Sequence, residues 1–371
     1  MNNSRSKFGR SLSVAAVLTA LAAPAFAVDP TDTGKILVAN RTSGTMSVID
    51  VATDEVIKTV SVATRGARPP EPMYVNYVPG LKRVFVSDRA NKYVAVYDSR
   101  TFDLLDTAPL GKGAFHMWSD PKGKQLWSVN DIDKTLSVIN PKTLALIDAN
   151  PATKDVIDAV ALPADLVAAG GKPHDIALDN AGKAAFVSVI GVPGKGYVLR
   201  YDTRTRKLTH QVEVGVDPHI GLGWKKPIMY VACQGNNTVY VLSTKDLKPL
   251  HEPIANVPGA HGTGMKHKDN TFYTTNFTAK ADGTNGLQAI SLTTNAVVGM
   301  TNTGNEDVPH NIAITANDSK LYVTHSGHGD GEIKGVVTVY DVRDDTQPKY
   351  LKTISVGLNP FGIAYIGPKG R

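Results

Sequence analysis

Short apolar runs recur along this chain in pairs, each pair split by a polar turn. The clearest are ILVANRTSGTMSVID from Ile36, VFVSDRANKYVAVYD from Val84, LWSVNDIDKTLSVIN from Leu126 and AFVSVIGVPGKGYVLRYD from Ala185. Three more follow: MYVACQGNNTVYVLS from Met229, FYTTNFTAKADGTNGLQAISL from Phe272 and LYVTHSGHGDGEIKGVVTVYD from Leu321. Runs of five or six residues rich in Val, Ile, Tyr, Phe and Thr, bounded by Gly, Asn and Asp, predict strands joined by tight turns. A further strand-like run usually follows each pair, as in EVIKTVSV and LTHQVEV, and another precedes it. Four short antiparallel strands, repeated seven times with starts 42–59 residues apart, predict an all-β, seven-bladed propeller. The chain enters in mid-blade at Ile36 and finishes on the lone run NPFGIAYIGPKGR, so the last strand is expected to complete the first blade and close the ring. One short helix is expected around Ala164–Ala169, ended by Gly170-Gly171.

The first 27 residues carry a different pattern. Arg5, Lys7 and Arg10 precede a short apolar run from Leu12 to Ala22, and Ala25-Phe26-Ala27 matches a cleavage site. Residues 1–27 read as a signal peptide and 28–371 as one propeller domain, secreted most simply to the periplasm; an uncleaved anchor is the alternative. No later stretch approaches the roughly 20 apolar residues of a spanning helix. Loss of those three cations lowers the formal charge from +6 to +3, and no basic run of the nucleic-acid type is present, so a nucleic-acid partner is disfavoured. Cys233 is the sole cysteine, which excludes an intrachain disulfide and a CxxCH haem attachment. It lies in an apolar strand and reads as an inert buried thiol.

The candidate chemistry sits at the entry of each blade's first strand. Aligned there, the positions read Met73, His116, His174, His219, His261, His310 and Phe361, with each histidine 10 or 11 residues ahead of the following YVTN-like run. In a ring, side chains at one repeat phase gather near one axis. Imidazole is a common ligand for copper, zinc and iron, including haem iron, and the Met73 thioether favours copper. His325 and His328, in His-Ser-Gly-His, lie on a loop able to reach the same rim. The connections Ile190–Gly196, Phe277–Gly286 and Ser326–Lys334 are expected to collect on that face, where repeat folds often carry binding surface. Inheritance of one residue by every repeat, or filling of gaps between blades, is the structural alternative.

The repeats resemble the YVTN family of seven-bladed β-propellers, in the broader group similar to the haem d1 propeller of cytochrome cd1 nitrite reductase. More distantly they are similar to the propeller of nitrous oxide reductase, with its copper cluster. The resemblance implies the propeller fold, and it implies that a haem-type iron through an axial histidine, or copper through Pro-His motifs, belongs to the histidine phase. No hydrolase elbow, P-loop or dinucleotide fingerprint is present. Three readings remain: a propeller binding copper or a haem-type cofactor in a His-lined mouth, in a redox or cofactor-handling pathway, with a small-molecule or metal-cofactor ligand and a periplasmic protein partner; a metal-dependent oxidoreductase acting on a small molecule; and a non-enzymatic scaffold with a structural histidine ring.

Overall fold

The computed structural model describes residues 34–63, 65–150, 152, 158–280, 282–304, 306–327 and 334–367. The expected leader and His328 lie outside the described residues. Seven four-stranded antiparallel sheets form the ring. Their first strands are Pro360–Ile366, Pro72–Val78, Ala114–Ser119, Lys172–Leu178, Pro218–Leu222, Ala260–Met265 and Pro309–Ile314, and each touches the first strands beside it around the axis. The expected closure is present: Pro360–Ile366 pairs with Lys35–Asn40, so the first blade combines the end of the chain with its beginning. No helix among the described residues is long and apolar enough to cross a membrane. The expected short helix is Ala164–Ala168, followed by Gly170 at a φ of 98°.

Burial follows position in the blade. Second strands such as Arg83–Asp88 and Ile228–Cys233 are buried on both faces because each blade is covered by its two neighbours. They therefore read as unbroken apolar runs rather than alternating ones. Outer strands such as Glu55–Ser61 and Leu208–Val214 are mostly exposed. The core lies between blades: Phe186 and Val198 of the fourth pack on Ile220, Met229 and Leu242 of the fifth. Cys233 is fully buried there, and burial pushes its thiol far up, as expected of an inert side chain.

Charged latches tie neighbouring blades. Lys266 of the sixth blade is 3% exposed; its ammonium pairs with Asp345 of the seventh and donates to the Val342 carbonyl. Asp345 also accepts Tyr273 Oη at 2.7 Å and Thr271 Oγ1 at 2.6 Å. Lys320 and Tyr322 of the seventh blade meet Asp54 of the first in the same manner. The connection expected as a loop at Ile190–Gly196 is instead an extended hairpin, its strands running Ala184–Val192 and Lys195–Asp202.

Candidate functional site

The first strands begin with a repeated entry turn. The residue just before the strand's paired opening position has a left-handed backbone at Gly113, Asp217, Gly259, Val308 and Asn359, with φ between 47° and 78°. Glycine, Asn and Asp tolerate this region, while a β-branched residue such as Val308 is strained there. The turn aims the next side chains inward. In six of the seven blades a bulge follows at once, as at Pro173/Ile176 and Pro309/Ile312; the strand Pro218–Leu222 pairs without one.

A hydroxyl on the second strand repairs the bulge. Ser87, Ser188, Thr275 and Thr324 accept the backbone N–H groups of Tyr74, Asp175, Gly262 and Asn311 at 2.8–3.1 Å. Three of them donate onward to the next blade: Ser87 to Phe115 O, Thr275 to His310 O and Thr324 to Phe361 O, at 2.8–3.0 Å. The Ser or Thr of the YVTN-like run thus fixes where the axial side chains stand.

The register revises the expected phase. Counted from the paired opening residue, the shared position is held by Met73, Phe115, His174, His219, His261, His310 and Phe361. His116 lies one residue further along, level with Tyr74 and Asp175. Ring centroids run His174 to His219 4.8 Å, His219 to His261 3.8 Å, His261 to His310 4.4 Å and His310 to Phe361 4.3 Å. Phe361 meets Phe115 at 5.3 Å and completes the layer over Met73, which packs in the apolar cluster with both phenyl rings. His116 stacks beneath, 3.7 Å from Tyr74 and 5.2 Å from His174.

These imidazoles do not line an open mouth. All five are between 0% and 7% exposed, and Phe277 from the adjoining loop stacks on His261 at 4.8 Å. His325 stands apart from them: Nδ1 donates to Asp307 O and Nε2 accepts from Thr338 Oγ1, both at 2.8 Å, so both ring nitrogens are used within its blade. Burial lowers its pKa to about 4.

Two carboxylates, not singled out by the repeat phase, complete the cluster. Asp175 Oδ1 accepts His116 Nδ1 at 2.7 Å, and its oxygens also take the backbone N–H groups of Ile176 and Ile220. Burial alone would raise Asp175, but the His116 and His219 imidazoles and the Ile220 N–H outweigh it and hold the carboxyl down at about 2. Burial lowers His116 despite that carboxylate, and lowers His174 further, keeping both rings neutral with lone pairs to offer. Asp217, in its left-handed entry turn, places Oδ1 3.5 Å from His219 Nε2 and 3.8 Å from His174 Nε2. The three ligand atoms of His174, Asp217 and His219 all lie within 4.8 Å of one another. The Nε2 atoms of His116, His174 and His219 are buried and have no hydrogen-bond partner among the described residues. The signal for Asp217 was local: an acid directly before Pro-His, in a slot that other blades fill with Gly, Asn or Val.

Below this layer an axial cavity of about 180 Å³ runs along the first strands. His116, Asp175 and His219 line its inner end, and Trp118, Trp224, His267 and Tyr365 line it toward the opposite rim. His267 Nδ1 is 2.8 Å from Asp318 Oδ1, and its ring stacks on Trp224 at 4.4 Å. The cavity therefore approaches the imidazoles from the face opposite the connections singled out in the sequence.

No family model matches the chain, and no curated protein matches it by sequence. Solved structures do match. Hydrazine synthase of Kuenenia stuttgartiensis superposes with a TM-score of 0.65 at 15% identity, covering 83% of this chain and 93% of that one. A putative 6-phosphogluconolactonase from Bacteroides fragilis gives 0.65 at 18% identity, covering 91% and 99%. The dihydro-heme d1 dehydrogenase NirN in complex with DHE gives 0.61 at 12% identity, covering 94% and 78%. At these identities the likeness is one of fold, and the fold is the seven-bladed β-propeller.

Proposed function

We propose that this protein is a metal-binding propeller whose ion sits at the axis between His174, His219 and Asp217. The observation that carries the reading is the convergence of two unpartnered, buried Nε2 atoms on one carboxylate oxygen, at 3.8 and 3.5 Å. Ligands about 2.1 Å from a tetrahedral ion stand about 3.4 Å apart, so small side-chain movements suffice. Orphaned buried acceptors are costly, and a cation relieves that cost. His116 stands beside the group as a further donor, its tautomer set by Asp175 in the carboxylate–histidine pattern common around metals. Two imidazoles and a carboxylate suit iron(II) or zinc better than copper, because the soft Met73 thioether is packed among phenyl rings. The ion would serve a redox or cofactor-handling step, and secretion to the periplasm belongs to the same proposal.

Metal analysis of the purified protein, with calorimetric titration of iron(II) and zinc, tests this. Asp217→Asn keeps a side chain that tolerates the left-handed turn and removes the charge. The expected result is one ion per chain in the parent and an affinity at least tenfold weaker in the variant. Sub-stoichiometric metal with equal affinities would sink the reading.

A haem-type ligand is the second reading. It is supported by the fold shared with a propeller solved in complex with DHE, and by His116, which lines the cavity with Nδ1 held by Asp175 and Nε2 unmatched among the described residues. A cavity of about 180 Å³ suits a single ring, so this reading requires the first strands to part. A Soret band on haem reconstitution that is lost in His116→Ala would support it; no band would remove it.

A further inference from the structure

We infer that the axial cavity is a binding site for a single-ring aromatic amine, entered from the rim opposite the histidine layer. Asn76, on the wall of the cavity, is 4% exposed, and its Oδ1 has no hydrogen-bond partner among the described residues. A buried amide oxygen left unmatched is costly, and a ligand donor in the cavity would satisfy it. His116, another lining residue, has an unmatched Nε2 that is an acceptor, because its Nδ1 donates to Asp175. Both call for a ligand that donates.

Charge points the same way. The lining residues include no lysine or arginine. A low-dielectric channel with no counter-cation in its lining opposes carboxylates and phosphates. A phosphorylated sugar therefore has no counter-charge here, whatever the fold shared with a putative 6-phosphogluconolactonase. Trp118, Trp224, Tyr77 and Tyr365 surround the outer half of the cavity, and such faces hold a flat ring and attract an ammonium group. A volume of about 180 Å³ lies below the range of pockets for drug-sized ligands and sets the limit at one ring.

The inference does not rest on the metal reading, because Asn76 and the aromatic collar stand whether or not an ion binds. Tryptophan fluorescence tests it, since Trp118 and Trp224 face the cavity and the third tryptophan, Trp127, is fully buried away from it. Tyramine is titrated beside 4-hydroxyphenylacetate, which has similar shape and the opposite charge, and beside glucose 6-phosphate. Saturable quenching by tyramine is expected, with both anions at least tenfold weaker. Asn76→Leu is expected to weaken tyramine about tenfold, the effect of one buried hydrogen bond left unmade, while bound metal is unchanged. Ile312→Phe narrows the cavity from another wall and is expected to abolish the quenching, which covers the case in which Asn76→Leu fails to fold. Absence of saturable quenching, equal or tighter binding of either anion, or indifference to both substitutions overturns the inference.

Discussion

His325 makes the stability of this propeller depend on pH in a defined direction. Its imidazole is 1% exposed and neutral, with Nδ1 on a carbonyl and Nε2 on a threonine hydroxyl. Burial lowers its pKa to about 4, against about 6.5 for a free histidine. Between those values the unfolded chain binds a proton that the folded chain refuses. Stability is therefore full above pH 6.5 and falls as pH drops toward 4. The whole window is worth about 3 kcal/mol, and about 2 kcal/mol of it is lost between pH 7.5 and pH 5. His116 and His174 are lowered by burial too and add to the loss with the same sign. Urea unfolding at pH 7.5 and pH 5 measures the total, and His325→Asn isolates this ring. The variant starts less stable, but its loss between the two pH values should be smaller by about 2 kcal/mol. Parallel losses in parent and variant, or an NMR titration of the His325 ring near 6.5, would refute the reasoning.

Further outcomes follow from other positions. Val308→Asn should raise thermal stability by up to about 1 kcal/mol, read by calorimetry, because Val308 occupies a left-handed slot that Asn359 and Asp217 fill elsewhere in the ring. Asp345→Ala should cost about 3 kcal/mol in urea unfolding, since it strands the buried Lys266 ammonium between blades; Asp345→Asn should recover part of that. Gly262→Ala should displace His310 and destabilise the sixth and seventh blades, because an added Cβ would stand 1.7 Å from the His310 carbonyl oxygen; hydrogen exchange at these first strands reads the effect. Asp175→Asn should weaken metal binding about tenfold or more, measured by calorimetry, by loosening the tautomer of His116 and the hold on Ile220 N–H.

The blade pattern was legible because its causes are local. Second strands buried on both faces must be apolar throughout, and the turns between them need Gly, Asn or Asp, so seven repeats and the closing strand can be read from residue order alone. The axial layer was legible only in part. Counting back from the YVTN-like run gives a spacing of 10 for both His116 and His219, yet the causes differ. His219 sits in the strand without a bulge, whereas His116 sits one residue further along a bulged strand. A bulge leaves no strong mark in apolar periodicity, though the Ser or Thr that repairs it stands at a fixed place in the run. Asp175 escapes a reading of the repeats because it joins His116 across blades, which no spacing within a repeat reveals, whereas Asp217 carries a local signal as the acid directly before Pro-His. Burial of the cluster beneath Phe277 and over a cavity facing the other rim is likewise a property of the closed ring.

That closed ring also sets an order of events. Lys35–Asn40 leaves the ribosome among the first strands of the fold, while its partner Pro360–Ile366 leaves among the last. Until that partner is made the first blade presents an unpaired edge, with backbone N–H and C=O groups open to any extended chain nearby. Middle blades can fold from contacts close in sequence, but this pairing spans almost the entire described chain and carries the largest loop-closure cost. The hydrogen bonds that close the ring are therefore unavailable until that last strand of the fold has been made. Until then the chain depends on whatever shields that first strand from other nascent chains.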